Sequence, residues 1–289
     1  MEQIITYSFY KYIQLDNPDF IQIDLLNFCK ENEIKGKVLI AKEGINGTIS
    51  GTKKQVKDFE NKIKSIKEFS DLSFRITIAN NHPYKKTLVR LRNEIVTSKF
   101  NIQVEKVGKH LTPKQINELY DKKEDFVILD ARNNYESKIG KFKNAITPDI
   151  RYFRDFPKVI KNLEKYKNKK IVMYCTAGIR CEKASALLIK NGFQDVNQLQ
   201  GGIISYINEF PDSNFEGRCF MFDDRISIET GENTKEIALC EKCHKPSGNY
   251  INCQNVKCNK FFIMCEDCNE EWKDTCSKFC RNLIYRTNK

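Results

Sequence analysis

The segment Cys175-Thr176-Ala177-Gly178-Ile179-Arg180-Cys181 directly follows the apolar run Lys170-Ile171-Val172-Met173-Tyr174. The run reads as a strand, and Ile179 to Lys190 has helical spacing with apolar residues at Ile179, Leu187 and Ile189. A thiol at Cys175 therefore sits at a strand-to-helix turn, where loop N–H groups converge and the positive end of a helix dipole lies close. Both favour the thiolate, and Arg180 adds a fixed positive charge, which makes Cys175 the candidate nucleophile and Arg180 its electrostatic partner. The backbone of Thr176, Ala177, Gly178 and Ile179 is the candidate cradle for a bound anion or for a second sulfur carried on Cys175 as a persulfide. The competing reading is an inert buried cysteine at a βα junction, because free Cys is among the most buried residue types.

A second group of candidates, Asp130, Arg132 and Glu136, follows the apolar run Phe126-Val127-Ile128-Leu129. Arg132 or Arg180 can bind an anionic sulfur donor or a nucleic-acid phosphate, whereas an internal Asp130–Arg pair would merely hold the loop. Cys181 lies one residue past the loop arginine. It reads either as a resolving thiol that attacks a Cys175 persulfide or as a buried helix thiol.

Eight of the twelve cysteines crowd the C-terminal tail as Cys240/Cys243, Cys253/Cys258, Cys265/Cys268 and Cys276/Cys280. Eight thiolates supply two tetrahedral sites, so two structural zinc ions are expected, with His244 a spare ligand. Sequential and cross-braced pairings both fit the spacing. Disulfides would need an oxidising compartment, and the N-terminus shows neither the basic nor the apolar segment of a secretion signal.

These groups must be positioned by the elements around them. Ile5 to Ile13 alternates as a strand and Phe20 to Ile34 has helical spacing. Val38 to Ala41 and Ile45 to Ser50 read as strands joined at Lys42-Glu43-Gly44, followed by a helix over Lys53 to Phe69 and a strand over Leu72 to Ala79. This βαββαβ order predicts a ferredoxin-like α+β domain over residues 1–100. Its Glu43-Gly44-Ile45-Asn46-Gly47 motif is either a ligand loop or a hairpin that needs residues tolerant of positive φ. A connector near Phe100 to His110 ends this unit.

Thr112-Pro113 is a helix start, and alternating apolar strands and helices predict an α/β domain with a mostly parallel sheet over 112–215. Ligands of such sheets bind at the carboxyl ends of the strands, where Asp130 and Cys175 both fall. The Cys-rich zinc-binding region occupies 216–289.

The 289 residues carry a formal net charge of +11 and a sequence pI near 9.0. This balance suits a polyanionic partner, and Tyr84-Lys85-Lys86 and Arg151-Tyr152-Phe153-Arg154 interleave aromatics with cations as single-stranded nucleic-acid binders do. A solvated basic surface and core aromatics are the bland alternatives. No run of eighteen apolar residues occurs, so no membrane partner is expected and the cytoplasm is the expected location.

Asp130-Ala131-Arg132 with Glu136, the Cys175–Arg180 loop and Leu199-Gln200-Gly201-Gly202-Ile203 together resemble a rhodanese domain. Lys35 to Gly51 (KGKVLIAKEGINGTISG), Leu88 to Val96 (LVRLRNEIV) and the Cys-rich tail extend the resemblance to the rhodanese-containing tRNA uridine hydroxylases. The family usually has glycine where this chain has Ala177.

The resemblance implies an acylphosphatase-like N-terminal domain and an oxidoreductase that makes 5-hydroxyuridine at the wobble position of tRNA. It further implies molecular oxygen as co-substrate and a sulfur donor or thiol reductant; no organic cofactor is evident in the sequence. Two other functions stay open: a sulfurtransferase passing sulfane sulfur to a thiol or small acceptor, and a noncatalytic RNA-binding module. A phosphatase would need a loop one residue longer.

Overall fold

Residues 3–286 are described by the computed structural model of the chain; Met1, Glu2 and residues 287–289, the end of the expected 216–289 region, lie outside them. The N-terminal unit runs β1 (Ile4–Tyr12), α1 (Pro18–Glu31), β2 (Lys35–Ala41), β3 (Gly44–Gly51), α2 (Lys53–Lys64), β4 (Arg75–Ala79) and β5 (Thr87–Leu91). The sheet order is β4-β1-β3-β2-β5, antiparallel throughout except that β5 joins β2 in parallel. Side chains alternate across a strand, so Phe9, Val38, Ile40, Ile45 and Ile49 share one face and pack on α1 and α2 with Leu25 and Phe59. The other face presents Ser8, Tyr10, Lys37, Leu39, Asn46 and Thr48, and no helix of this unit covers it.

The elements differ from the sequence expectation in several places. The second helix ends at Lys64 rather than Phe69, because Ile66 is extended (φ −80°, ψ 122°) and a short 3₁₀ turn over Lys67–Phe69 swings Phe69 back into the core. The following strand begins at Arg75 rather than Leu72, whose side chain is already committed to the core. Strand β5 was not foreseen. Gly44 shows why the hairpin motif has its form: at φ 133° a Cβ would stand 2.0 Å from the Lys11 carbonyl oxygen.

The central unit comprises β6 (Lys109–Leu111), α3 (Pro113–Asp121), β7 (Phe126–Asp130), α4 (Asn134–Ile139), β8 (Gly140–Phe142), α5 (Ile160–Leu163), β9 (Lys170–Tyr174), α6 (Ile179–Lys190), β10 (Asp195–Leu199) and α7 (Gly202–Glu209). Its sheet, β6-β10-β9-β7, is wholly parallel. Thr112 caps α3 in a capping box with Gln115. The connector before it is packed rather than free: Phe100 meets Phe153 edge-on at 5.4 Å and the Gly108 N–H donates to Ser185 Oγ. His110 lies within β6.

The C-terminal region begins with β11 (Phe215–Gly217), which pairs with β8 of the central unit, followed by β12 (Cys219–Phe220) and β13 (Ser227–Ile228). The Cys-rich part adds the hairpin β14 (Tyr250–Asn252) and β15 (Phe261–Ile263), then α8 (Glu266–Trp272) and α9 (Lys278–Arg286). It is anchored to the central unit where the Tyr250 hydroxyl donates to the Tyr135 carbonyl at 2.6 Å. Among the described residues no helix is long and apolar enough to cross a membrane.

Candidate active site

Cys175 follows the last residue of β9, and α6 starts four residues later. Gly178 closes the turn at φ 103°, and a Cβ there would come within 2.8 Å of the Tyr10 hydroxyl, so only glycine fits. Its N–H donates to Cys175 Sγ at 3.1 Å. Burial opposes ionisation of this thiol. The Cys181 S–H donor, the Arg180 charge and the N–H groups of Arg180 and Gly178 outweigh burial and hold the pKa at about 6 instead of 9.0. Cys181 is itself fully buried; burial and the adjacent Cys175 thiolate push its own pKa well up, so it stays protonated and donates.

Arg180 is held by a buried fork to Glu136, with Nη1–Oε1 at 2.5 Å and Nη2–Oε2 at 2.7 Å, and by a 3.3 Å bond to Thr176 Oγ1. Glu136 thus fixes the loop arginine from α4. Asp130 and Arg132 form a different unit. Arg132 donates from Nε to Asp130 Oδ1 at 2.9 Å and from Nη2 to Asp130 Oδ2 at 2.7 Å and to the Gly140 carbonyl at 2.6 Å. The two side chains are 0% and 1% exposed and pair with each other beneath the loop, which is the internal Asp130–Arg arrangement weighed above against binding of a donor anion.

Cys175, Thr176, Ala177, Ile179 and Arg180 open onto a cavity of about 360 Å³. The opposite wall is the uncovered face of the N-terminal sheet, with Tyr10, Leu39, Asn46 and Thr48, and the rim carries Tyr84, Tyr152, Arg154 and Phe222. The two basic-aromatic segments thus divide. Tyr84, Tyr152 and Arg154 reach the cavity, while Phe153 is core. Arg154 stacks over the Tyr152 ring at 4.3 Å and Arg180 over Phe222 at 5.5 Å. Ala177 has an ordinary backbone, outside the positive-φ residues, so its methyl is accommodated.

Sequence reading missed Tyr10 and Phe222 as lining residues and reached Asn46 only within a motif that was either a ligand loop or a hairpin. Polar and aromatic residues on the alternate positions of β1 were the available signal, but nothing in them says what the face covers. The two sides of the cavity are locked together by Lys183 of α6, buried between Glu43 at 2.9 Å and Glu94 at 3.0 Å.

Two thiol clusters lie in the tail, Cys240/Cys243/Cys265/Cys268 and Cys253/Cys258/Cys276/Cys280. Alternate pairs share a site, which is the cross-braced arrangement, and His244 belongs to neither. Within each cluster all ligand atoms lie within 4.8 Å of one another, with Cys243–Cys265 at 3.5 Å, Cys258–Cys276 at 3.6 Å and Cys276–Cys280 at 3.8 Å. Four sulfurs about 2.3 Å from a tetrahedral ion stand about 3.8 Å apart, so the clusters fit a metal.

Comparison with known proteins agrees with this three-part layout. Residues 4–95 match the UPF0176 acylphosphatase-like domain, 112–209 the rhodanese-like domain and 216–281 the rhodanese C-terminal domain. The tRNA uridine(34) hydroxylase of Cytophaga hutchinsonii is 41% identical over 282 residues, covering 96% of this chain and 89% of that protein. The chain belongs to the tRNA uridine(34) hydroxylase family. Members from Bacillus licheniformis (42% identical, 94% of this chain and 87% of theirs) and Staphylococcus carnosus (40%, 94% and 88%) align over the same span. In this member of the family the rhodanese-type thiolate faces a wall made by the acylphosphatase-like domain, so neither domain alone forms the site.

Proposed function

We propose that this chain hydroxylates C5 of the wobble uridine of tRNA, with Cys175 as the reacting centre. The observation that carries the reading is a thiolate held near pKa 6 at the floor of a cavity whose other wall is the N-terminal sheet. A sulfur relay to a small acceptor needs no such wall. Anticodon bases are recognised when splayed out of a single-stranded loop, and the aromatic and cationic rim suits that form of substrate.

In the reaction the uracil C5–H becomes C5–OH with one oxygen atom from O₂. The second oxygen leaves as water, with two protons and two electrons from a thiol reductant. Arg180 and the Gly178 N–H stabilise negative charge on Cys175 or on a sulfur it carries, and Cys181 serves as the donor that keeps Cys175 ionised. The tail holds two structural zinc ions, and the protein works in the cytoplasm.

Nucleoside mass spectrometry tests this. In cells lacking the protein and any compensating enzyme, the native chain restores 5-hydroxyuridine-derived nucleosides and Cys175→Ser does not. An unchanged nucleoside profile together with thiosulfate-dependent turnover free of tRNA overturns the reading in favour of sulfur transfer.

A further inference from the structure

Asn46 lines the same cavity as Cys175 and sits in the Glu43-Gly44-Ile45-Asn46-Gly47 motif, which the Cys175 chemistry leaves unexplained. It lies in the register between Tyr10 of β1 and Leu39 of β2, on the sheet face that meets the rhodanese loop. Its Nδ2 donates to the Ile95 carbonyl at 2.8 Å. The Ile95 N–H in turn donates to Glu43 Oε1 at 2.8 Å, and Glu43 is held by the buried Lys183 ammonium. A chain of fixed contacts therefore runs from α6 through Glu43 and Ile95 to one carboxamide.

That chain sets which way the amide faces. A flipped Asn46 would point its carbonyl oxygen at the Ile95 carbonyl, acceptor against acceptor. With Nδ2 so placed, one of its two N–H groups is used by Ile95 and the other is left over, and Oδ1 accepts no hydrogen bond from the described protein. The pair offers a donor and an acceptor side by side. Uracil presents the complement, its O4 acceptor beside its N3–H donor; cytosine presents a donor at N4 and an acceptor at N3, which this amide cannot match without the forbidden flip.

We propose that Asn46 is the residue that reads the target base, accepting from uracil N3–H through Oδ1 and donating to O4 through its free Nδ2 hydrogen, so that the enzyme selects uridine over cytidine. The inference rests on the uridine-hydroxylase reading and deepens it. A good bidentate pair discriminates against the wrong base by about tenfold to a hundredfold.

The test is equilibrium binding of two anticodon stem-loop RNAs, identical except for uridine or cytidine at position 34, to the full chain with and without Asn46→Leu. The native chain should prefer the uridine loop by about tenfold or more. Asn46→Leu should abolish that preference while the pH profile of Cys175 alkylation and the zinc content stay as in the native chain, which shows an intact fold. An equal preference in the variant, or none in the native chain, overturns the assignment. Absence of hydroxylated product alongside a retained uridine preference would count against the reaction proposed above and not against Asn46.

Discussion

At the scale of single residues, the two thiols of the rhodanese loop divide labour by their surroundings. Cys175 is ionised because it collects hydrogen bonds and a positive charge that outweigh its burial, and Cys181, in the first turn of α6, is protonated because it is buried and faces that thiolate. Removing the donor by Cys181→Ala should raise the midpoint of Cys175 alkylation from about 6 by about one pH unit or more, a hydrogen bond to a charged group being worth about 1.5–3 kcal/mol. Cys181→Ser, which keeps a donor, should raise it less; a common midpoint for both variants would refute the donor role.

The sign of the coupled stability follows. The folded-state pKa of Cys175 lies below its unfolded value near 9, so its ionisation stabilises the fold fully above pH 9 and ceases to do so as pH falls to about 6. The difference in urea stability between the native chain and Cys175→Ser should therefore grow in favour of the native chain as pH rises across that window.

At the scale of elements, the loop is held from α4, and the tail is gathered around its two thiol clusters. Glu136→Gln leaves the Arg180 guanidinium buried without its counter-charge, since both partners are almost fully enclosed. Breaking such a pair from one side costs about 3–5 kcal/mol, measurable by urea denaturation, and a loss under 1 kcal/mol would show that Arg180 is compensated elsewhere. In the Cys-rich tail, the apolar cluster consists mostly of the ligand cysteines with Ile251, Phe262 and Met264. So small a core needs a staple, which the two proposed zinc ions would supply. Chelation should release about two zinc ions per chain, detected with a colorimetric indicator, and open residues 240–280 to protease while the central sheet keeps its melting temperature.

At the scale of the whole molecule, the cavity exists only where the acylphosphatase-like sheet is docked on the rhodanese loop. Lys183 is the buried link, and its carboxylate partners are more than a quarter exposed, so Lys183→Met should cost a moderate 2 kcal/mol or so in stability. The larger effect is expected on tRNA hydroxylation, which needs both walls, with little change in Cys175 alkylation, which needs one. Equal losses in both would mean that the lock supports the rhodanese unit itself and not the junction.

What the sequence determined by itself is local. The strand–Cys175–helix turn, the Thr112 cap, the βαββαβ order and the four cysteine pairs are all legible because each depends on neighbours a few residues apart. Tertiary structure decided everything that joins distant segments: which cysteine pairs share a metal, that Arg132 turns inward to Asp130 while Arg180 faces the cavity, and that β5 extends the sheet. It also decided that Asn46 stands opposite Cys175. Alternation along β2 and β3 marks two faces of a sheet, but which face is covered by its own helices and which by a loop more than a hundred residues away is set by docking, and that is a property of surfaces that exist only after the units have folded.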